Sequence, residues 1–285
     1  MSISNSAMLV ELNISVWTGQ KVDRAATTKV TDDANAAADA GQFKKNLTAG
    51  TYLRKELADY AALCRTWHNG RTMPWSDRGP RLLPTSMFVE YKQEVNARQG
   101  LFMSKVDAFC EEYPRLLAAA PYHLGDLFNP NDYPTVEEVR DKFGFQLVFS
   151  PVPESGDFRV RAGDVDLAEL RQQYEDAYDA RVKDAMQSAW DKVHDMLTRM
   201  SEKLTDPESE SAKGKLFHGT FLTNVDDLCA LLAHLNITKD PQLEIARRAL
   251  QKMVSGVDID DVRKDPGTRI DLKAQVDAAL KAFDW

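Results

Sequence analysis

Two stretches of the chain place large apolar residues at seven-residue spacing, and this pattern limits the possible folds more than any other feature. Within residues 85–119 the repeating positions are Phe88, Val95, Phe102, Phe109 and Leu116. A similar apolar stripe runs through residues 166–204, from Leu167 to Leu204. Recurrence over four or five heptads predicts two long helices that form a helical hairpin or a coiled coil.

The length of the second predicted helix bears on assembly. A helix of 39 residues is about 58 Å long, whereas a compact chain of 285 residues is only about 50 Å across. A helix that protrudes with an apolar stripe needs a partner to cover it. The sequence therefore predicts a homo-oligomer.

The remaining pattern predicts a predominantly helical α+β fold with a small antiparallel sheet, unlike an OB fold. Alternating and β-branched residues favour strands at 8–17, 144–152 and 158–161. Helical periodicity favours helices at 52–67, 222–235, 241–254 and 269–283. Residues 22–41 fit a weak helix or a mobile arm, and the Pro-rich residues 71–84 fit a loop or a short edge strand.

Two domains are expected from the length. The first, residues 1–163, contains the sheet and the first long helix. The second, residues 164–285, is helical, with a charged, Ser-rich linker near 206–215.

Composition narrows the class of protein. With 43% hydrophobic and 28% charged residues, the chain can bury a core and is not wholly disordered. The three cysteines, Cys64, Cys110 and Cys229, are far apart, which favours a reducing compartment. The sequence contains no apolar run long enough for a membrane helix and no signal peptide, so no membrane association is expected.

The net charge of −8 argues against binding nucleic acid through bulk positive charge. The charge is uneven, however. Residues 42–81 contain eight Lys and Arg against three acids, whereas residues 164–210 contain thirteen acids against six bases. Because exposed charges act over only about 8 Å at physiological salt, the basic stretch can still attract an anion.

Within that basic stretch, two tryptophans alternate with arginines in a segment stiffened by Pro and Gly. Cations for the phosphates and flat aromatic faces for the bases are what single-stranded nucleic acid binding requires. The predicted nucleic-acid-binding residues are Lys44, Lys45, Arg54, Lys55, Arg65, Trp67, Arg71, Trp75, Arg78 and Arg81. The alternative is that both tryptophans lie in a core while the arginines stay solvated.

Motifs of known catalysis are missing from the sequence. It contains no phosphate-binding P-loop, no dinucleotide fingerprint, no zinc-protease motif and no nucleophile elbow. Cys64 and His68 are the nearest approach to a metal pair, but no second pair is close in sequence. We expect a protein that is not an enzyme, with no catalytic residues, no metal and no cofactor.

The C-terminus ends in an aromatic, an acidic and a second aromatic residue: Phe283, Asp284 and Trp285. A tip of this kind can dock into a pocket of a partner protein. The alternative is a last helical turn that packs on its own domain.

Residues 12–21, with the pattern Asn-Ile-Ser-Val-Trp-x-Gly-x-Lys ending at Lys21, resemble the opening strand and turn of a Drc-like family of phage early proteins. The length, acidic balance and long helices also resemble those of one member type, a single-stranded-DNA-binding cofactor of RNA polymerase in podoviruses that carry a virion RNA polymerase. The resemblance implies a protein of the host cytoplasm that binds single-stranded DNA. It further implies that the protein assists a phage-encoded RNA polymerase in middle transcription. It assigns no binding residue.

The hypothesis from the sequence is therefore a phage single-stranded-DNA-binding transcription cofactor. One alternative is an oligomeric adaptor or structural protein that does not touch DNA. Another is an enzyme whose acidic residues converge only in the folded chain.

Overall fold

A computed structural model describes residues 3–77, 79–153, 164–205 and 220–283. The fold is predominantly helical with a small antiparallel sheet, so the predicted fold class is confirmed. The strands are β1 (Ala7–Ser15), β2 (Gln20–Val22), β3 (Lys44–Asn46), β4 (Met73–Pro74), β5 (Arg81–Pro84) and β6 (Gly144–Pro151). The helices are α1 (Arg24–Asp33), α2 (Leu53–Arg71), α3 (Phe88–Leu124), α4 (Val136–Arg140), α5 (Asp164–Leu204), α6 (Thr220–Leu235), α7 (Pro241–Val254), α8 (Ile259–Lys264) and α9 (Pro266–Ala282).

The chain divides into two compact units. Unit 1 comprises Met1–Glu11, Gly70–Val89 and Phe149–Trp285, and unit 2 comprises Leu12–Asn69 and Glu90–Val148. This division differs from the predicted boundary at residue 163, because strands β4 and β5 belong with the C-terminal helices. The predicted linker near 206–215 lies outside the described residues.

The main sheet has the strand order β4-β5-β1-β6. In unit 1, β5 runs antiparallel to β1, with Ala7 opposite Pro84, and antiparallel to β4. The segment 71–84 therefore contains an inner strand, β5, in addition to the short strand β4. The prolines of this segment favoured the prediction of a loop or an edge strand, although Leu82 and Leu83 of β5 are fully buried. The strand predicted at 158–161 lies outside the described residues.

Unit 1 is built around the C-terminal half of α5. Helices α6, α7 and α9 and strand β4 pack against α5. From Ala185 to Leu204 the predicted stripe of α5 is buried in the core of the unit, whereas Leu170 nearer its start is exposed. The stripe thus serves a globular core, and helix α5 finds its partners within its own chain.

Unit 2 has an aromatic core in which α3 supplies the predicted stripe. Phe102, Phe109 and Tyr113 are almost fully buried, and Phe109 packs edge-on against Phe143 at 5.6 Å between ring centroids. The heptad pattern of α3 therefore also marks a core face rather than a helical hairpin. Because both helices are long, the predicted elements are confirmed, but their packing is that of globular units.

The motif at residues 12–21 lies in unit 2 and has a structural role there. Trp17 packs edge-on against Phe109 and Tyr113 at 6.2 and 5.9 Å. Gly19 adopts a φ of +63° beneath Thr48 and Arg54, where a Cβ would lie within 2.8 Å of the Thr48 methyl group. Both residues are therefore required by packing and backbone geometry.

No helix in the described ranges is long and apolar enough to cross a bilayer.

Candidate functional site

The predicted basic face is divided between the two units. Lys44, Lys45, Arg54, Lys55, Arg65 and Trp67 belong to unit 2, whereas Arg71, Trp75 and Arg81 belong to unit 1. Arg78 lies outside the described residues. The predicted basic face therefore combines residues that belong to different compact units.

Lys45 is not a surface cation, which corrects its predicted role. Its side chain is 5% exposed, and its ammonium nitrogen lies 3.0 Å from Asp23 Oδ2 and 2.5 Å from Asp132 Oδ2. The same nitrogen donates to the carbonyl of Leu127 at 2.9 Å. Burial opposes the charged ammonium, but the two carboxylates outweigh burial and raise the pKa of Lys45. Lys45 is thus the centre of a buried ion cluster.

Trp67 lies between two side chains of α3. It stacks on Tyr91 with 5.0 Å between ring centroids and 22° between the planes, and the guanidinium carbon of Arg98 is 4.5 Å from the Trp67 centroid. Tyr91 and Arg98 are seven residues apart, about 10.5 Å along a helix, so the indole fits between them. Tyr91 and Arg98 both contact the indole, which is half-buried, so Trp67 is not the freely exposed ring that base stacking requires.

Trp75 is also unsuited to base stacking. It is 5% exposed and belongs to the core of unit 1. Its ring packs edge-on against Tyr178 at 5.5 Å, and the Arg181 guanidinium lies 5.7 Å from its centroid. The structure therefore corrects the expectation of two exposed indoles on a basic loop.

The other predicted cations of unit 2 have varied environments. Lys44 is exposed on β3. Lys55 is exposed and pairs with Asp59 at 2.6 Å. The stem of Arg54 packs near Gly19, and Arg65 donates to the carbonyl of Ile14 at 2.6 Å.

In unit 1, Arg81 is held by Thr72. Its Nε donates to Thr72 Oγ1 at 2.7 Å and its Nη2 donates to the Thr72 carbonyl at 3.2 Å. Arg71 is half-buried at the end of α2. Arg81 is therefore fixed in position at the start of β5.

The C-terminal tip is described only at Phe283. This ring packs against Trp190, with 5.6 Å between centroids, and belongs to the periphery of the unit 1 core. Asp284 and Trp285 lie outside the described residues. Phe283 thus packs on its own unit, as the alternative held.

Unit 2 contains an open cavity of about 430 Å³, called here the Tyr52 groove. One wall is the loop at 49–53 that precedes α2, and the other is a face of α3. The α3 residues on that face are Ala108, Glu112, Arg115, Leu116, Ala119 and His123. The volume falls within the range of small-ligand sites, about 300–1,000 Å³.

Tyr52 lines the groove with an exposed aromatic ring, and Tyr122 is the neighbour in sequence of the lining residue His123. Tyr52 is 68% exposed, and Tyr122, which packs edge-on against His123 at 5.4 Å, is 89% exposed. Large aromatic side chains are usually buried, so an exposed ring in the wall of a cavity is informative.

Gly50 gives the groove its shape. Its φ is +89°, and a Cβ built on it would overlap the imidazole of His123, with Cδ2 and Cε1 at 2.7 and 2.8 Å. Only glycine permits both this backbone turn and the close approach of the ring. The loop and α3 are therefore held in register by the packing of His123 on Gly50.

The lining of the groove includes the cation Arg115 and the acid Glu112, and Lys55 follows the lining residue Leu53 by two positions. Arg115 is 82% exposed and lies 3.3 Å from Glu112, and Lys55 stands in the first turn of α2. Helix α2 begins at Leu53, so the positive end of its dipole lies at the groove. Exposed pairs such as Arg115 with Glu112 contribute little energy, which leaves these cations able to bind another anion.

Sequence reasoning missed Tyr52, Arg115, Tyr122 and His123. Tyr52 lies inside the basic stretch, but it is the first residue of the helix predicted at 52–67 and had no predicted binding role. The other three lie on α3, some 60 to 70 positions further along the chain. These residues come close to Tyr52 because of how α3 packs against the loop at 49–53, and such packing cannot be predicted from local sequence patterns.

No group of three metal-binding side chains occurs in the described part of the chain. Ser86 Oγ lies 2.8 Å from His234 Nδ1, a nucleophile-and-base contact, but neither residue lines the cavities described for the two units. The three cysteines are buried, and burial raises the pKa of each thiol.

Comparison of the chain with protein-family models, curated proteins and solved structures finds no match.

Proposed function

We propose that the protein binds single-stranded DNA and acts as a cofactor of a phage-encoded RNA polymerase in middle transcription, without catalysis of its own. The observation that carries the DNA-binding part is the Tyr52 groove, where the exposed ring of Tyr52 and the cation Arg115 line an open cavity. The polymerase and the host cytoplasm enter the proposal from the family resemblance. The homo-oligomer stays a prediction from the sequence, since the apolar stripe of α5 is covered within its own unit from Ala185 to Leu204.

The aromatic rings supply the contact for the bases. Stacking on an aromatic side chain contributes about 1–3 kcal/mol per base and tolerates any sequence. Tyr52 is 68% exposed, whereas Trp67 and Trp75 are not exposed to this extent. A duplex keeps its bases stacked inside, so this contact favours single strands.

The cations supply the contact for the backbone. Arg115, Lys55 and Arg54 all lie on the groove or within three residues of its lining. Arginine grips phosphate oxygens with two parallel N–H donors. Arg115 lines the groove together with Glu112, and a bound phosphate would replace this weak, exposed ion pair.

The first experiment is fluorescence anisotropy with labelled single-stranded and duplex oligonucleotides at low and physiological salt. We expect the single strand to bind more tightly, and Tyr52→Ala to weaken it at least about fivefold, the equivalent of 1 kcal/mol. Tyr52→Phe keeps the ring and should bind like the wild type. Leu63→Ala, an exposed position on α2 outside the groove lining, is the matched control.

Absence of single-strand binding by the wild-type chain would refute the DNA-binding proposal and favour the adaptor alternative. The cofactor role is tested by transcription from a middle promoter with purified phage polymerase. Added protein should raise transcript yield, and the Tyr52→Ala variant should not.

A further inference from the structure

A second cavity, of about 350 Å³, lies in unit 1 beside the hairpin of β4 and β5. Its lining includes Trp75, Asp77, Arg81, Arg181 and Asp184. Arg181 and Asp184 are three residues apart on α5 and therefore share one face of that helix. The cavity thus combines two guanidinium groups, two carboxylates and the edge of an indole.

Arg181 is pre-positioned for a ligand. Its guanidinium lies 5.7 Å from the centroid of Trp75, within the range of a cation–π contact. The side chain is exposed, and no carboxylate lies within ion-pair distance in the described part of the chain. The indole holds one side of the guanidinium plane, and the N–H donors at its edge can bind an oxyanion.

Lys192 adds a positive charge that interacts with Arg81, one of the two arginines of the cavity. It lies eleven residues after Arg181, almost exactly three helical turns, so both side chains belong to one stripe of α5. Burial and the nearby charge of Arg81 lower the pKa of Lys192, although Asp191 and Asp195 act in the opposite direction. A lysine that is desolvated next to another cation is stabilised when an anion binds close by.

The two carboxylates select among anions. Asp77 and Asp184 would repel a bare phosphate, but they can accept hydrogen bonds from an amino group. A carboxylate pairs in this way with the N4 amino group of cytosine. Thymine, which has no exocyclic amino group, offers no such donor.

We propose that this cavity binds a nucleotide whose base carries an amino group, with the phosphate at Arg81 and Arg181 and the amino group at Asp77 or Asp184. Lys192 strengthens the field that attracts the phosphate. This site is distinct from the Tyr52 groove, and its occupation does not depend on the proposed strand binding.

The test is isothermal titration of the full chain with dCMP, dTMP and inorganic phosphate. We expect dCMP to bind more tightly than either of the others. Arg181→Gln should weaken dCMP at least about tenfold, since a charge-assisted hydrogen bond is lost. Arg199→Gln, an exposed arginine of the same helix outside the cavity, should leave dCMP binding unchanged.

Two further variants assign the roles. Asp184→Asn should reduce the preference of dCMP over dTMP, and Tyr52→Ala should retain dCMP binding in full. The pKa of Lys192, followed by NMR, should rise when dCMP is added. If the wild type does not bind dCMP, or if Arg181→Gln binds it as the wild type does, the nucleotide site is refuted.

The same variants separate this inference from strand binding. If oligonucleotide affinity falls with Tyr52→Ala while dCMP affinity is unaffected by Arg181→Gln, the nucleotide site is refuted and the DNA-binding proposal stands. If dCMP affinity falls with Arg181→Gln but no oligonucleotide binds, the opposite holds.

Discussion

The two adjacent lysines of β3 offer a direct test of the structure, because one is buried and one is exposed. Lys45 has an ion cluster around it, whereas Lys44 is exposed to solvent. Replacement of Lys45 by Met removes one cation and keeps the stem. The carboxylates of Asp23 and Asp132 and the carbonyl of Leu127 then lose their shared partner.

The expected cost follows from burial. Loss of one partner of a buried ion pair costs about 3–5 kcal/mol. The side chains of Asp23 and Asp132 are 15% and 12% exposed, so water can partly replace the lost ammonium group. We therefore expect Lys45→Met to lower the free energy of unfolding by about 3 kcal/mol. Lys44→Met, at an exposed position, should change stability by no more than about 0.5 kcal/mol.

The assay is urea unfolding followed by circular dichroism. With an m value of about 3 kcal/mol per molar urea, the midpoint of unit 2 should fall by about 1 M in Lys45→Met and stay unchanged in Lys44→Met. Equal midpoints for the two variants would refute the ion cluster. They would return Lys45 to the list of candidate DNA contacts.

Three further predictions concern pH, backbone geometry and salt. The hydrogen bond from the backbone of Ala26 and the contact with Lys45 lower the pKa of Asp23 below 3.8. The contribution of Asp23 to stability is therefore present above that pH and is lost as the pH falls through the folded-state pKa. The variant Asp23→Asn, which keeps the α1 cap, should flatten the acid dependence of the urea midpoint. Gly50→Ala should destabilise unit 2 by about 2 kcal/mol from its positive φ and the clash with His123, and in a His123→Ala background it should cost measurably less. If three cations at the Tyr52 groove contact phosphates, log K should fall with log salt at a slope of about −2, from about 0.7 per phosphate. The variant Arg115→Gln should make this slope shallower, whereas Arg24→Gln and Tyr52→Ala should leave it unchanged. A slope near zero would contradict phosphate contact.

Much of the secondary structure was predictable, because long apolar stripes and capping residues are local. Helix α7 has the predicted limits at 241 and 254, where Asp240 caps a Pro-led helix. The packing of the long helices was not predictable in the same way. A heptad stripe has the same sequence pattern whether it faces a second helix, as in a coiled coil, or a globular core.

The candidate site was harder to predict. The alternation of Trp and Arg at 65–81 suggested one surface, but Trp67 and Trp75 fall in different units and both are covered. An indole is large enough to gain more from burial than from exposure. The arginines that contact these rings, Arg98 at Trp67 and Arg181 at Trp75, come from α3 and α5 and not from the alternating segment.

The order in which the two units can form follows from their discontinuous composition. Every residue of unit 2 has been synthesised once Val148 is added, whereas unit 1 requires α5 through α9 to cover the strands β4 and β5. Because domains fold as units while the chain emerges from the ribosome, unit 2 is complete first. Until the C-terminal third arrives, Trp75 and Leu82 have no core to enter, so a nascent chain paused before that point exposes apolar surface to chaperones.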